Sequence, residues 1–124
     1  MNERFKFRIW CVNKNQWETG KVYLDNEGRI YDDFHRVKEE THIIQQCTGL
    51  KDRNGKLIYE GDLLKTRFGL ILKVYWREQS AMFWLETLDG VIPFTFYAKQ
   101  QLDGDSMEVI GNIYENKELL EEQK

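Results

Sequence analysis

Apolar and polar residues alternate in several short runs of this chain. The alternation begins at residues 5–10, FKFRIW, and recurs at residues 70–77 and, after a polar break, at residues 81–88. A period of two is typical of β-strands that bury one face against a core. Similar but shorter runs occupy residues 21–24, 29–31 and 107–114. The pattern predicts a protein built mainly from short strands.

Turn-forming residues separate these runs. Asn54-Gly55 is predicted to close a hairpin with both residues at positive φ, and Asp89-Gly90 a second one. Gly61 and Gly111 interrupt strand patterns, so each is expected at positive φ or at a close backbone approach. The predicted structural turn residues are Asn54, Gly55, Gly61, Asp62, Asp89, Gly90 and Gly111.

Other local patterns predict an edge strand, a helix cap, a turn and one segment of mixed structure. Pro93 cannot donate a backbone hydrogen bond, which places its strand at an edge or in a bulge. Asn116 is expected to cap a short C-terminal helix, and Asp52 to bond the backbone of its own turn. Residues 32–46 show no clean period, and we expect a helical turn followed by a strand.

Together these elements predict one mainly β domain over residues 1–124. The expected architecture is a small SH3-like barrel or a strongly bent antiparallel sheet, with an N-terminal extension and a short C-terminal helix. An α+β fold is the alternative. The predicted core consists of Leu63, Leu70, Leu72, Val74, Trp84, Val109 and Ile113.

Composition agrees with a globular domain, because 41% of the 124 residues are hydrophobic and 31% are charged. No apolar run approaches the roughly 20 residues that cross a bilayer, and the charged start does not resemble a signal peptide. We therefore expect a cytoplasmic protein without membrane contact. The net charge of -3 is unevenly distributed: residues 51–77 carry seven basic and three acidic residues, whereas residues 103–122 carry one basic and seven acidic residues.

The residue types that bind metals or cofactors are scattered. Cys11 and Cys47 lie in apolar, strand-like runs and are expected to be free buried thiols. Neither they nor His35 and His42 show the spacing of a metal site, and no glycine-rich phosphate-binding loop occurs. No metal and no cofactor are predicted.

Two longer motifs and one short one carry a resemblance. Residues 48–65, TGLKDRNGKLIYEGDLLK, and residues 108–120, EVIGNIYENKELL, together with KFRIW at residues 6–10, are similar to the YopX family of phage and prophage proteins. The chain departs from the family pattern at Lys117, where proline is common, and at Cys47, where an aromatic residue is usual. The resemblance implies a phage or prophage origin, an intracellular site and homo-oligomers, but it transfers no catalytic residue because the family's function is unestablished.

Glu60 and Asp62 are the strongest candidates for acid–base chemistry, since two carboxylates can divide these roles. No histidine or nucleophile lies near them in sequence, and the Gly61-Asp62 pair is typical of the entry to a strand, where the aspartate bonds neighbouring amides. We therefore expect an architectural role for this pair and predict that the protein is not an enzyme.

The basic centre is the candidate contact surface, comprising Lys65, Arg67, Lys73, Tyr75 and Arg77. One interpretation of this charge distribution is that the protein is an interaction module or homo-oligomeric scaffold. The basic centre would then contact the acidic end of another subunit. The alternative is an accessory protein that stacks single-stranded nucleic acid on aromatic residues above a positive groove. The expected partner is a second copy of the chain, and a phage or host protein is also possible. Nucleic acid is the second choice, and no membrane contact is expected.

Overall fold

The fold is that of a strongly curled, half-barrel β sheet, which confirms the predicted mainly β class. The computed structural model describes residues 5–32, 36–37, 39–87, 90–94 and 107–121. The strands are β1 (Phe7–Cys11), β2 (Gln16–Trp17), β3 (Tyr23–Leu24), β4 (Ile30–Tyr31), β5 (His42–Lys51), β6 (Leu57–Tyr59), β7 (Asp62–Lys65), β8 (Ile71–Arg77), β9 (Met82–Thr87), β10 (Gly90–Pro93) and β11 (Glu108–Asn112). A 3-10 turn at Glu39–Thr41 precedes β5, and a short helix near the C-terminus, which we call α1, spans Lys117–Glu121.

Within the part of the chain that the structure describes, the strands form three antiparallel sheets. Four strands pair in the order β2-β1-β5-β6, and five pair in the order β10-β9-β8-β7-β11. The small β3–β4 hairpin forms a sheet of its own, and its turn is closed by the amides of Asp25 and Gly28, which donate to the carbonyls of Arg29 and Asp25. Strand β5 carries most of the first sheet, because β1 pairs with its first half and β6 with its second half. The consecutive strands β7, β8, β9 and β10 form an antiparallel meander that makes up most of the second sheet.

Gly61 joins the two larger sheets at the turn between β6 and β7. Its φ is +84°, and a Cβ there would overlap the side-chain amide of Gln45. Its amide donates to the carbonyl of Val74 at 2.7 Å, and its carbonyl accepts the amide of Ile113 at 3.0 Å. Gly111 has no positive φ, but a Cβ there would overlap Asn116. The predictions for both glycines are confirmed.

The core lies between the sheets. Its buried cluster contains Ile58, Leu64, Leu72, Val74, Leu85, Phe94 and Met107, with Phe83 and Val109 packed against it. Of the predicted core, Leu63, Leu72 and Val74 are fully buried. The prediction for Leu70 is wrong, since it is 37% exposed at the end of the β7–β8 hairpin rather than inside β8. Trp84 is half-buried and donates from Nε1 to Ser80.

Strand β1 departs from the one-sided pattern that its alternation predicts. Ile9, Trp10 and Cys11 are all buried, whereas Phe5 is 68% exposed. Trp10 is covered because its ring stacks on that of Tyr114. Both faces of the end of β1 are therefore packed.

The turn after β5 differs in type from the prediction. Gly55 has φ +82°, but Asn54 is not at positive φ. The turn is therefore not of type I′, which requires positive φ at both central residues. Asp52 supplies the reason: one carboxylate oxygen accepts the amides of Asn54 and Lys56, each at 2.9 Å, and the other accepts the amide of Val109. The predicted role of Asp52 is thus confirmed and extended to β11.

Three predictions concern the sheet edge and the C-terminus. Strand β10, which contains Pro93, is an edge strand as predicted. Gly90 is the first residue of that strand, and its partner in the predicted turn, Asp89, lies outside the described residues. Asn116 directly precedes α1 as predicted, but its side-chain oxygen accepts a hydrogen bond from the Asn112 amide and not from an amide of the helix. The predicted side-chain cap is therefore wrong.

Candidate functional site

The predicted basic surface is divided by the fold into two regions. Lys73, Tyr75 and Arg77 alternate on β8 with the buried Leu72 and Val74, and so lie on the sheet face opposite the core. Lys65 and Arg67 lie instead at the turn between β7 and β8. We call the first region the outer face and the second, residues 65–70, the hairpin tip.

On the outer face, aromatic and charged side chains form cross-strand pairs. Lys73 bonds Glu86 with 3.0 Å between Nζ and Oε2. Tyr75 is the register partner of Trp84, and the guanidinium of Arg77 lies 4.8 Å from the centre of the Trp84 ring. Two of the three predicted residues thus interact with other groups of the same sheet.

The hairpin tip is a braced turn that presents an exposed aromatic ring. The Thr66 amide donates to the carbonyl of Leu70 at 2.9 Å, and the Thr66 hydroxyl accepts the amides of Phe68 and Leu70. Gly69, at φ +87°, allows the chain to reverse. Phe68 is 83% exposed, and the guanidinium of Arg67 lies 4.7 Å from its ring centre. The turn therefore holds a large apolar group in solvent beside basic residues.

A second arginine cluster, centred on Arg8, was not found from the sequence. Arg8 donates from Nη2 to Asp62 Oδ1 at 2.7 Å and from Nε to Gln45 Oε1 at 3.0 Å. Its guanidinium lies 4.3 Å from the ring centre of Trp17 and 4.8 Å from that of Tyr59. We call these five residues the Arg8 cluster.

The carboxylate pair predicted at Glu60 and Asp62 lies beside this cluster. Asp62 is 1% exposed, and its second oxygen accepts the Tyr59 amide at 2.8 Å. Burial raises the pKa of Asp62, while Arg8 and the Tyr59 amide oppose the rise. Burial also raises the pKa of Glu60, against the Gln46 amide and Arg8. Both oxygens of Asp62 are occupied by structural partners, in agreement with the architectural role expected from the sequence.

An aromatic stack connects the Arg8 cluster to the C-terminal motif. The rings of Trp10 and Tyr114 are stacked with centres 5.1 Å apart, and Trp17 meets Trp10 edge-on at 5.0 Å. Trp17 Nε1 donates to Glu115 Oε1 at 2.7 Å, and Asn112 Nδ2 donates to the same oxygen. These two bonds hold the pKa of Glu115 below its usual range. Glu115, one residue of the predicted acidic end, is therefore bound within its own chain.

A cavity of about 400 Å³ lies where the last residue of β1 pairs with the first residue of β5. Cys11, Glu18 and His42 line it, and their ligand atoms lie within 4.8 Å of one another. His42 Nε2 is 3.2 Å from Glu18 Oε1, and His42 Nδ1 is 2.8 Å from Thr41 Oγ1. Sequence spacing could not show this cluster, because the antiparallel register, which pairs Cys11 with His42, brings it together.

Comparisons with known proteins identify the family of the chain and a solved structure of similar fold. A sequence profile of the family described as "YopX protein" matches residues 6–121. A solved structure, "Crystal structure of protein EF1440 from Enterococcus faecalis", is similar with a TM-score of 0.65 and 29% identity, over 93% of this chain and 96% of that one. No curated protein matches. Among the described residues, no helix is both long and apolar enough to span a bilayer.

Proposed function

This chain belongs to the YopX family, and we propose that it is a non-enzymatic interaction module that assembles with further copies of itself through the hairpin tip. The observation that carries the proposal is Phe68, which the braced turn holds 83% exposed next to Arg67. Aromatic and arginine side chains are the residues most enriched at the energetic centres of protein interfaces. A fixed exposed ring also loses little conformational entropy when it is buried by a partner.

The charge of the chain favours its own C-terminal region as the partner of the tip. Lys65 and Arg67 are exposed and basic, whereas the net charge of the whole chain is -3. Helix α1 carries the exposed Glu118 in its first turn. A basic tip that docks on the Glu118 carboxylate of another copy makes a head-to-tail contact, which closes into rings when the rotation allows it.

Sedimentation velocity over a wide concentration range tests this proposal. The wild-type chain should form an assembly, and Phe68→Ser or Arg67→Glu should shift it toward monomer. Val91→Ser is the matched control, because Val91 is 44% exposed in the same sheet but lies on β10. An unchanged assembly in both tip variants would contradict the role of the tip.

The outer face supports a second candidate function, binding of single-stranded nucleic acid. The observation that favours it is the pairing of Tyr75 with Trp84 beneath Arg77, since aromatic rings flanked by cations stack bases. It ranks second because Lys73 is bonded to Glu86, so that a phosphate must displace a carboxylate.

Charge reversal on the outer face separates the two functions. If nucleic acid is the partner, Lys73→Glu and Arg77→Glu should weaken binding to single strands, and affinity should fall steeply with salt. If the wild-type chain stays monomeric and still binds single-stranded DNA at near-physiological salt, self-assembly is wrong and the second function replaces it.

A further inference from the structure

The Cys11–Glu18–His42 cluster combines one thiol, one carboxyl and one imidazole group at the wall of a cavity. Sulfur, nitrogen and oxygen donors in one set are typical of zinc, whereas calcium and magnesium prefer oxygen alone. Cys11 is only 2% exposed, which makes its sulfur poorly accessible to a bulky substrate but suits a metal ligand. We propose that these three side chains bind a divalent transition-metal ion of the zinc type, with a fourth position open to the cavity.

The distances within the cluster are close to those that the ion requires. Tetrahedral zinc with bond lengths of 2.0–2.3 Å places nitrogen and oxygen ligands about 3.4 Å apart and sulfur about 3.6 Å from nitrogen. His42 Nε2 and Glu18 Oε1 are already 3.2 Å apart. All three ligand atoms lie within 4.8 Å of one another, so side-chain rotations of small size complete the geometry.

Backbone hydrogen bonds hold all three ligand residues in fixed positions. Cys11 and His42 are register partners at the ends of β1 and β5, and the Val12 amide donates to the carbonyl of Thr41 beside them at 2.9 Å. Glu18 is fixed from the other side, because its amide donates to the carbonyl of Ile9 at 2.9 Å. Three neighbouring backbone segments thus converge on one point, which lowers the entropy cost of binding an ion.

Thr41 supplies the outer partner that a metal-bound histidine needs. Its Oγ1 lies 2.8 Å from His42 Nδ1 and can accept a hydrogen bond from the N–H group at that nitrogen. With the ion on Nε2, the imidazole carries its proton on Nδ1, which faces Thr41, and the Cys11 thiol proton is released to solvent. The metal takes the place of the hydrogen bond between His42 and Glu18.

The other charged groups at the cavity leave room for a cation. Lys14 Nζ is 3.7 Å from Glu18 Oε1, but its side chain is 61% exposed and can move into solvent. Arg36 and Asp32 also line the cavity and have opposite charges. With a Cys11 thiolate and the Glu18 carboxylate, a divalent ion forms a neutral centre.

Cobalt(II) titration of the metal-free, full-length protein tests the site, because a thiolate–cobalt bond absorbs in the near ultraviolet. We expect one ion per chain, with competition by zinc. Cys11→Ser should abolish the thiolate band, and Glu18→Gln and His42→Gln should weaken zinc binding at least tenfold by calorimetry. Cys47→Ser is the matched control, since Cys47 is equally buried and lies on β5 with His42.

Thermal unfolding guards against variants that fail to fold. Zinc should raise the unfolding temperature of the wild-type chain and of Cys47→Ser, but not that of a folded Cys11→Ser. The proposal is overturned if the wild-type chain binds neither cobalt nor zinc, or if the thiolate band survives Cys11→Ser. It is equally overturned if zinc stabilises Cys11→Ser as much as the wild type.

Discussion

Arg8 and Arg67 lie over aromatic rings at similar distances, 4.3 Å from Trp17 and 4.7 Å from Phe68, yet they belong to different kinds of surface. Arg8 is held by Asp62, which is 1% exposed, so its charge is matched inside the chain. Arg67 lies beside a ring that is 83% exposed. The comparison shows that an arginine–aromatic contact does not by itself identify an interface; the exposure of the ring separates an internal brace from a surface that a partner can cover.

The largest expected effect is the loss of the buried ion pair. Asp62→Ala leaves Arg8, whose side chain is 22% exposed, without its carboxylate, and also leaves the Tyr59 amide without an acceptor. We expect a loss of about 3 kcal/mol in the free energy of unfolding, measured by urea denaturation. Arg53→Met is the control: its pair with Glu108 is exposed, and its loss should cost at most about 1 kcal/mol. If Asp62→Ala and Arg53→Met lowered the free energy of unfolding equally, the distinction between a buried and an exposed arginine ion pair would be contradicted.

The next effect concerns the turn that presents Asp62 to Arg8. Gly61→Val should cost roughly 1–3 kcal/mol, since it strains a positive φ and also forces Gln45 away from Arg8. Gly69→Val at the hairpin tip has the same kind of φ but open space around it, so it should cost less. Gly111→Val is expected to resemble Gly61→Val because of the overlap with Asn116. Denaturation midpoints unchanged in both Gly61→Val and Gly111→Val would refute the packing role.

At the tip, stability and assembly should separate. Phe68→Ser removes a side chain that is 83% exposed, so the free energy of unfolding of the monomer should change by less than about 0.5 kcal/mol. The same variant should lower the fraction assembled at a given concentration. A large loss of monomer stability would mean that Phe68 packs within its own chain and is no free anchor.

The smallest effect is a pH dependence at Glu60. Burial raises its folded pKa above the ordinary 4.5, so the charged form costs stability at neutral pH, and stability is regained as pH falls through the folded pKa toward 4.5. Asp62 contributes in the same direction. Glu60→Gln should raise stability at pH 7 by roughly 0.5 kcal/mol and flatten this slope. Asp25, whose pKa is lowered to about 2, acts in the opposite direction and only below its ordinary 3.8, outside this window. A slope unchanged by Glu60→Gln would contradict the assignment.

Much of the architecture followed from local patterns. The alternation on β8 correctly predicted which side chains face the core, and Gly61 correctly predicted a turn. Both features depend on only a few neighbouring residues. Leu70 was misplaced because the same alternation already begins before the first residue of β8, within the turn that Thr66 closes. Sequence period alone does not mark where a strand begins.

The candidate sites were harder to predict because pairing between distant strands creates them. Arg8 reaches Asp62 across 54 positions, and Cys11 meets His42 through the register of β1 with β5. Neither pair leaves a spacing motif in the sequence. The outer face was predicted on one strand, but its partners Glu86 and Trp84 come from β9.

Hydrogen–deuterium exchange at low and at high protein concentration tests most directly the claim that the tip is a contact surface and the Arg8 cluster an internal brace. The Phe68 and Leu70 amides, which donate to the Thr66 hydroxyl in an exposed turn, should exchange fast in the monomer and become protected as the concentration rises. The Tyr59 amide, bonded to Asp62, should be slow at every concentration. Protection at the tip that does not depend on concentration, in a chain that assembles, would contradict the account.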